Sequence, residues 1–143
     1  MNVYVESNFI LEYALVQEQY ESCNQIITLA ESGQVRLVVP AFSIAETSET
    51  LDRRGKERVE LSNAVKRQLK LLARTQEYRE QALALTGNLD TLFTGSSEVE
   101  IARLRRALNR ILSIGTVAPL TGDVFTSTLG YTCLLYTSPS PRD

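Results

Sequence analysis

The sequence predicts an α/β fold in which a short parallel sheet is interrupted by a long helical segment. Three observations carry this reading. Val3-Tyr4-Val5 and Val35-Arg36-Leu37-Val38-Val39 are runs rich in β-branched residues, the second stopped by Pro40. Between them, apolar residues recur at helical rather than alternating spacing. From 53 to 113 the helical spacing returns in three stripes with no strand-like run among them.

The first strand ends in Glu6, and Ser7 and Asn8 follow as good helix N-caps for a helix carrying Phe9, Ile10, Tyr13 and Ala14. Glu6 thus stands at the carboxyl end of a strand, where open α/β sheets hold their ligands; an acid there also profits from the dipole of the helix it precedes. Cys23, Ile26, Ile27 and Ala30 then mark one face of a second helix, about Glu18 to Ser32, closed by Gly33 at the C′ position. Strand, two helices and strand make a crossover whose strands should be parallel with a right-handed connection. After Pro40 a helix begins near Phe42, with Ile44, Ala45 and Leu51 on one side and Glu46, Glu49 and Asp52 on the other.

The helical segment divides into stripes of Leu61, Val65, Leu69 and Leu72, of Leu85, Leu89, Leu92 and Phe93, and of Ile101, Leu104, Leu108, Ile111 and Leu112. Breaks are expected near Arg74 to Tyr78 and at Thr94-Gly95-Ser96, with Ser97 and Glu100 as a capping box for the last helix. Each stripe reads as ordinary core. A short strand, Thr116 to Ala118, precedes Pro119, and Thr121-Gly122-Asp123 opens a final helix containing Val124, Phe125 and Leu129.

Charge is unevenly distributed along the 143 residues. Residues 1–52 carry net −7 and residues 53–110 net +6, although the whole chain is only −2. An acidic block followed by a basic one fits a metal-binding region beside a polyanion-binding surface, as well as plain solubilising charge. Lys66, Lys70 and Arg74 form one cationic row, and Arg103, Arg106 and Arg110 another, each able to follow a phosphate backbone. The chain has no histidine, which excludes His-based acid–base chemistry, Ser-His triads and His-ligated zinc, and leaves carboxylates to carry any catalysis. Cys23 and Cys133 have neither metal nor redox spacing. No segment approaches the ~20 apolar residues of a membrane span, and no basic-then-apolar leader opens the chain, so a soluble cytoplasmic protein is expected.

From Cys133 the chain reads Cys-Leu-Leu-Tyr-Thr-Ser-Pro-Ser-Pro-Arg-Asp, without apolar periodicity. This string resembles the translation of a transposon adapter used in preparing sequencing libraries. Residues 133–143 are therefore expected to be non-native and disordered, and the natural gene to be cut near Thr132.

Two segments carry a family resemblance. Val3-Tyr4-Val5-Glu6-Ser7-Asn8 is similar to the opening strand of PIN-domain ribonucleases, which ends in Asp-Thr-Asn. Val38-Val39-Pro40 followed by Phe42-Ser43-Ile44-Ala45-Glu46 is similar to the family's second strand and the helix bearing its next acid. The resemblance covers about the first 50 residues, with 53–113 as a helical insertion and 114–131 approaching a third acid. It implies a three-layer PIN-like fold over 1–132, with an incomplete sheet. It also implies an endoribonuclease, either toxin-type or RNA-processing, that hydrolyses RNA phosphodiesters with Mg²⁺ or Mn²⁺, since hard cations want oxygen ligands. Carried over by position, Glu6 and Glu46 are metal ligands and Asn8 orients Glu6; the parallel crossover itself predicts that Glu6 and Glu46 lie close together with their carboxylates facing a common cleft. RNA is the implied partner, joined by an antitoxin protein in the toxin-type case; a homodimer is an admissible assembly. Glu6 departs from the family's usual Asp by one methylene. The later acids would fall beyond Thr132, so the chain as it stands is expected to be inactive. The alternative is a non-catalytic nucleic-acid or protein interaction module on the same fold; a third reading is a helical interaction protein organised by 53–113.

Overall fold

The computed structural model describes residues 1–122. In chain order these form β1 (Asn2–Tyr4), α1 (Ser7–Leu15), α2 (Tyr20–Glu31), β2 (Arg36–Pro40), α3 (Ala41–Leu72), a 3₁₀ turn (Gln76–Tyr78), α4 (Arg79–Ile114) and β3 (Thr116–Ala118). The expected final helix beyond Gly122 and the expected non-native tail lie outside the described residues.

The strands form one parallel sheet in the order β1-β2-β3. Asn2 lies opposite Arg36 and Tyr4 opposite Val38, while Val38 lies opposite Thr116 and Pro40 opposite Ala118. Leu37, Val38 and Val39 are all buried, so the central strand is covered on both faces, which is why it reads as an unbroken apolar run. Leu37 and Val39 join Ile10, Ile27 and Ile111 in the core; each is fully buried and contributes about 1.5–3 kcal/mol through its burial.

α1 begins at Ser7 with Glu6 as its N-cap, one residue earlier than the caps proposed from sequence, and the Glu6 carboxylate makes no capping bond. α2 ends as expected. Gly33 takes φ of +75°, its N–H donates to the Ala30 carbonyl at 3.0 Å and that of Gln34 to Leu29 at 3.0 Å, so two orphan carbonyls of the last turn are satisfied. At the start of α3 the buried face is Ser43, Thr47 and Leu51, four residues apart; Ile44 is only partly covered and Ala45 is exposed. The face drawn from sequence is therefore rotated by about one residue.

α3 and α4 are 32 and 36 residues long, and they pair antiparallel as a hairpin about 50 Å in length. The Arg58 guanidinium grips the Glu100 carboxylate with two bonds of 2.8 and 2.7 Å and also reaches Ser97 at 3.4 Å; further out, Lys66 pairs with Asp90. The expected break at Arg74 to Tyr78 is the turn of this hairpin. The expected break at Thr94-Gly95-Ser96 does not occur. α4 runs through it, and the capping box dissolves: Ser97 donates to the Phe93 carbonyl within the helix at 3.1 Å, and Glu100 belongs to Arg58. Packing against α3 outweighs the roughly 0.5–1 kcal/mol that a mid-helix glycine costs.

A two-helix hairpin covers little more than one stripe on each helix, so the core reading holds for only part of each stripe. Leu69, Leu104 and Ile111 are buried, whereas Leu61, Leu72, Leu85, Leu92 and Ile101 are exposed. At the root, α4 passes to β3 through Gly115, where a Cβ would lie 2.9 Å from the Ile111 carbonyl oxygen and 3.4 Å from that of Leu37. Glycine permits that close approach.

Candidate functional site

In a parallel sheet all strands point their carboxyl ends to one edge, so the chain segments leaving β1 and β2 start side by side. The backbone shows this directly: the Val5 N–H donates to the Val38 carbonyl at 3.0 Å, continuing the β1–β2 ladder to within one residue of Glu6. Glu6 stands between β1 and α1, Asn8 is the second residue of α1, and Glu46 is the sixth of α3, whose first residue follows β2 without a gap. All three side chains are exposed, and neither carboxylate makes an ion pair or side-chain hydrogen bond among the described residues.

Next to this edge, Ser43 is fully buried and its hydroxyl has no hydrogen-bond partner among the described residues. Thr47, one turn on, is equally buried but satisfies itself by donating to the Ile44 carbonyl at 2.8 Å. An unpaired buried hydroxyl costs about 1–3 kcal/mol.

The donor set does not complete a metal site. Among the described residues no three Asp, Glu, His or Cys side chains gather closely enough to hold an ion. Glu6 and Glu46 supply two carboxylates, and Mg²⁺ prefers to keep its waters unless several oxygens are offered in near-octahedral geometry. Two carboxylates alone leave most of that shell to water.

Among the described residues, two clefts that open elsewhere are lined by none of Glu6, Asn8 and Glu46. One, of about 640 Å³, lies between α3 and α4 against Val59, Phe93 and Ile101 and contains the Arg58–Glu100 pair. The other, of about 300 Å³, is framed by α1, the start of α2 and α4: Tyr13, Val16, Tyr20, Arg103, Arg106 and Arg110 line it. The rings of Tyr13 and Tyr20 stack in parallel, with centroids 5.5 Å apart and planes inclined by 6°.

The cationic rows fare differently from expectation. In the first, Lys66 is spent on Asp90, and Arg74 lies beyond the end of α3. In the second, Arg110 is bound inward. It donates to both Glu31 oxygens at 2.7 and 2.9 Å, to Asn24 at 3.3 Å and to the Tyr13 hydroxyl, and its guanidinium lies 5.7 Å from the centre of the Tyr13 ring. The Glu31 bonds hold its pKa above the ordinary arginine value. Arg103 gives one long bond of 3.4 Å to the Leu15 carbonyl, and Arg106 makes no ion pair among the described residues. Sequence places Tyr13 on the apolar face of the first helix and assigns Tyr20 no role; the signal for their pairing is two aromatic residues seven apart across a helix–helix junction.

Cys23 is buried, and burial first, then the charge of Glu12, pushes its thiol above the ordinary range; it is a core residue rather than a nucleophile. No helix among the described residues is long and apolar enough to cross a membrane. Compared with known proteins, the chain matches no protein-family model, no curated protein and no solved structure.

Proposed function

We propose that the chain carries part of a PIN-like, three-layer metal-dependent endoribonuclease, with Glu6 and Glu46 as its first two metal-binding carboxylates and Asn8 orienting Glu6. The observation that supports this most is the parallel β1–β2 pairing, which starts α1 and α3 at the same sheet edge, with Glu6 just before α1 and Glu46 on α3 both exposed and without an ion pair among the described residues. Mg²⁺ or Mn²⁺ bound there would activate water and neutralise charge on the phosphodiester. The substrate is RNA in a toxin-type or RNA-processing role, with an antitoxin as protein partner in the former. Two carboxylates are too few for catalysis, so residues 1–143 are expected to bind Mn²⁺ weakly and leave RNA uncut.

The test is Mn²⁺ titration followed by electron paramagnetic resonance, together with cleavage of a fluorophore–quencher RNA, on 1–143 and on a chain bearing the natural continuation. Glu6→Gln and Glu46→Gln should each weaken Mn²⁺ binding in both, and should abolish cleavage by the continued chain. Cleavage that survives both substitutions, or a continued chain that binds no Mn²⁺, would overturn the reading.

A second reading, an interaction module on the same fold, is favoured by the apolar residues left exposed along the hairpin, among them Leu83, Leu92 and Val99. A continued chain that binds RNA without cutting it would favour this one.

A further inference from the structure

The cleft between α1, α2 and α4 has a chemistry that the sheet edge lacks. Among the described residues, all the charged side chains lining it are arginines. Arg110 is neutralised by Glu31, but among the described residues Arg103 spends only one donor, on the Leu15 carbonyl, and Arg106 spends none on a carboxylate. Each guanidinium carries five donors in a planar fork that matches the oxygens of a phosphate. Beside them stands a preformed aromatic plane. Tyr13 is nearly covered, whereas Tyr20 is only half-buried and lines the cleft, so the Tyr20 ring is the one a planar group would reach. The stack with Tyr13 holds that ring in place before any ligand arrives. At about 300 Å³ the space suits a single planar, anionic unit rather than a folded partner.

We propose that this cleft is a subsite for one unpaired nucleotide of a single-stranded RNA, its phosphate held by Arg103 and Arg106 and its base laid against Tyr20. Naming the polymer as RNA rests on the nuclease reading above; the cleft itself requires only a nucleotide whose base is free to unstack. Duplexes are excluded because their bases are paired and unavailable to the ring. The subsite binds without metal, since none of its donors is a metal ligand.

The experiment is a fluorescence-anisotropy titration of the full chain with a fluorescein-labelled dodecameric oligouridylate, in EDTA, at several salt concentrations. The Arg103→Gln, Arg106→Gln variant should bind at least about tenfold more weakly at low salt and lower the slope of log affinity against log salt by about 0.7–1.4, one or two phosphates' worth. Arg103→Lys with Arg106→Lys keeps the charge and should keep the slope, which separates loss of phosphate contact from loss of fold. Tyr20→Leu should weaken binding about tenfold without changing the slope. An RNA duplex of the same length should bind no better than the arginine variant binds the single strand. Slopes unchanged by the arginine substitutions, or equal affinity for duplex and single strand, would overturn the subsite. Glu6→Gln with Glu46→Gln should leave this titration unmoved. If those two acids fail to bind Mn²⁺ while the oligouridylate still binds, the nuclease reading falls and the subsite stands.

Discussion

At the scale of the residue, the least expected conformation belongs to Val16. It closes α1 with φ of 57° and ψ of 53°, a left-handed conformation that costs a β-branched residue about 1–2 kcal/mol. The conformation persists because it lets the N–H groups of Val16 and Gln17 both donate to the Glu12 carbonyl and aims Gln19 at the Glu12 carboxylate, 2.9 Å away. The Val16 side chain is itself mostly exposed. Asparagine tolerates this region, so Val16→Asn is expected to stabilise the fold by about 1 kcal/mol, read as a higher urea midpoint at unchanged m-value. A lower midpoint would mean that the valine side chain contributes more than its backbone costs. Local chemistry made Glu6, Asn8 and Glu46 easy to place from sequence, because a strand end and the early turns of a helix are set by neighbouring residues. Val16 and the Tyr13–Tyr20 stack were not legible for the converse reason: both depend on the angle at which α1 meets α2.

At the scale of the element, all three strands and the four helices of the described chain could be read in outline, and the errors came where tertiary pairing overrides local preference. Gly95 is the clearest instance. Thr94-Gly95-Ser96 has the composition of a turn, yet α4 continues through it because α3 lies alongside and Arg58 fixes Glu100 one turn further on. A Cβ added at Gly95 would meet nothing within 4 Å, and its φ is not positive. Gly95→Ala is therefore expected to stabilise by about 0.5–1 kcal/mol, the ordinary difference in a helix interior, measured by chemical denaturation. Were the chain broken at Gly95 in a left-handed turn, the same substitution would destabilise it. The leucine stripes misled for a related reason. Periodicity reports that a helix has an apolar side, but whether enough of the molecule exists to cover that side is a property of the whole assembly.

At the scale of the molecule, the acidic first third and the basic remainder meet rather than merely coexist. Glu31, at the end of α2, receives two bonds from Arg110 on α4, 79 residues away, and the same guanidinium reaches Asn24 and Tyr13, so one cation ties α4 to both α1 and α2. That joint orients the wall of the arginine–tyrosine cleft while leaving Arg103 and Arg106 without a carboxylate partner among the described residues. The Arg110 hydrogen bonds, opposed by desolvation and helped by the Arg110 charge, hold the Glu31 carboxyl below its ordinary value of 4.5. A carboxyl whose pKa is depressed by folding binds its proton more readily in the unfolded chain. Its contribution is therefore complete above the ordinary glutamate value and is lost as pH falls through the lower, folded-state value. The thermal midpoint of Glu31→Gln should lie below that of the parent by a constant margin from pH 7 down to about pH 5, and the two should converge on further acidification. Melts at pH 7, 5.5, 4 and 3 test this. A margin that persists unchanged at pH 3 would assign the joint to packing of the Arg110 stem against Tyr13 rather than to the ionised pair, and salt should then leave it unaltered as well.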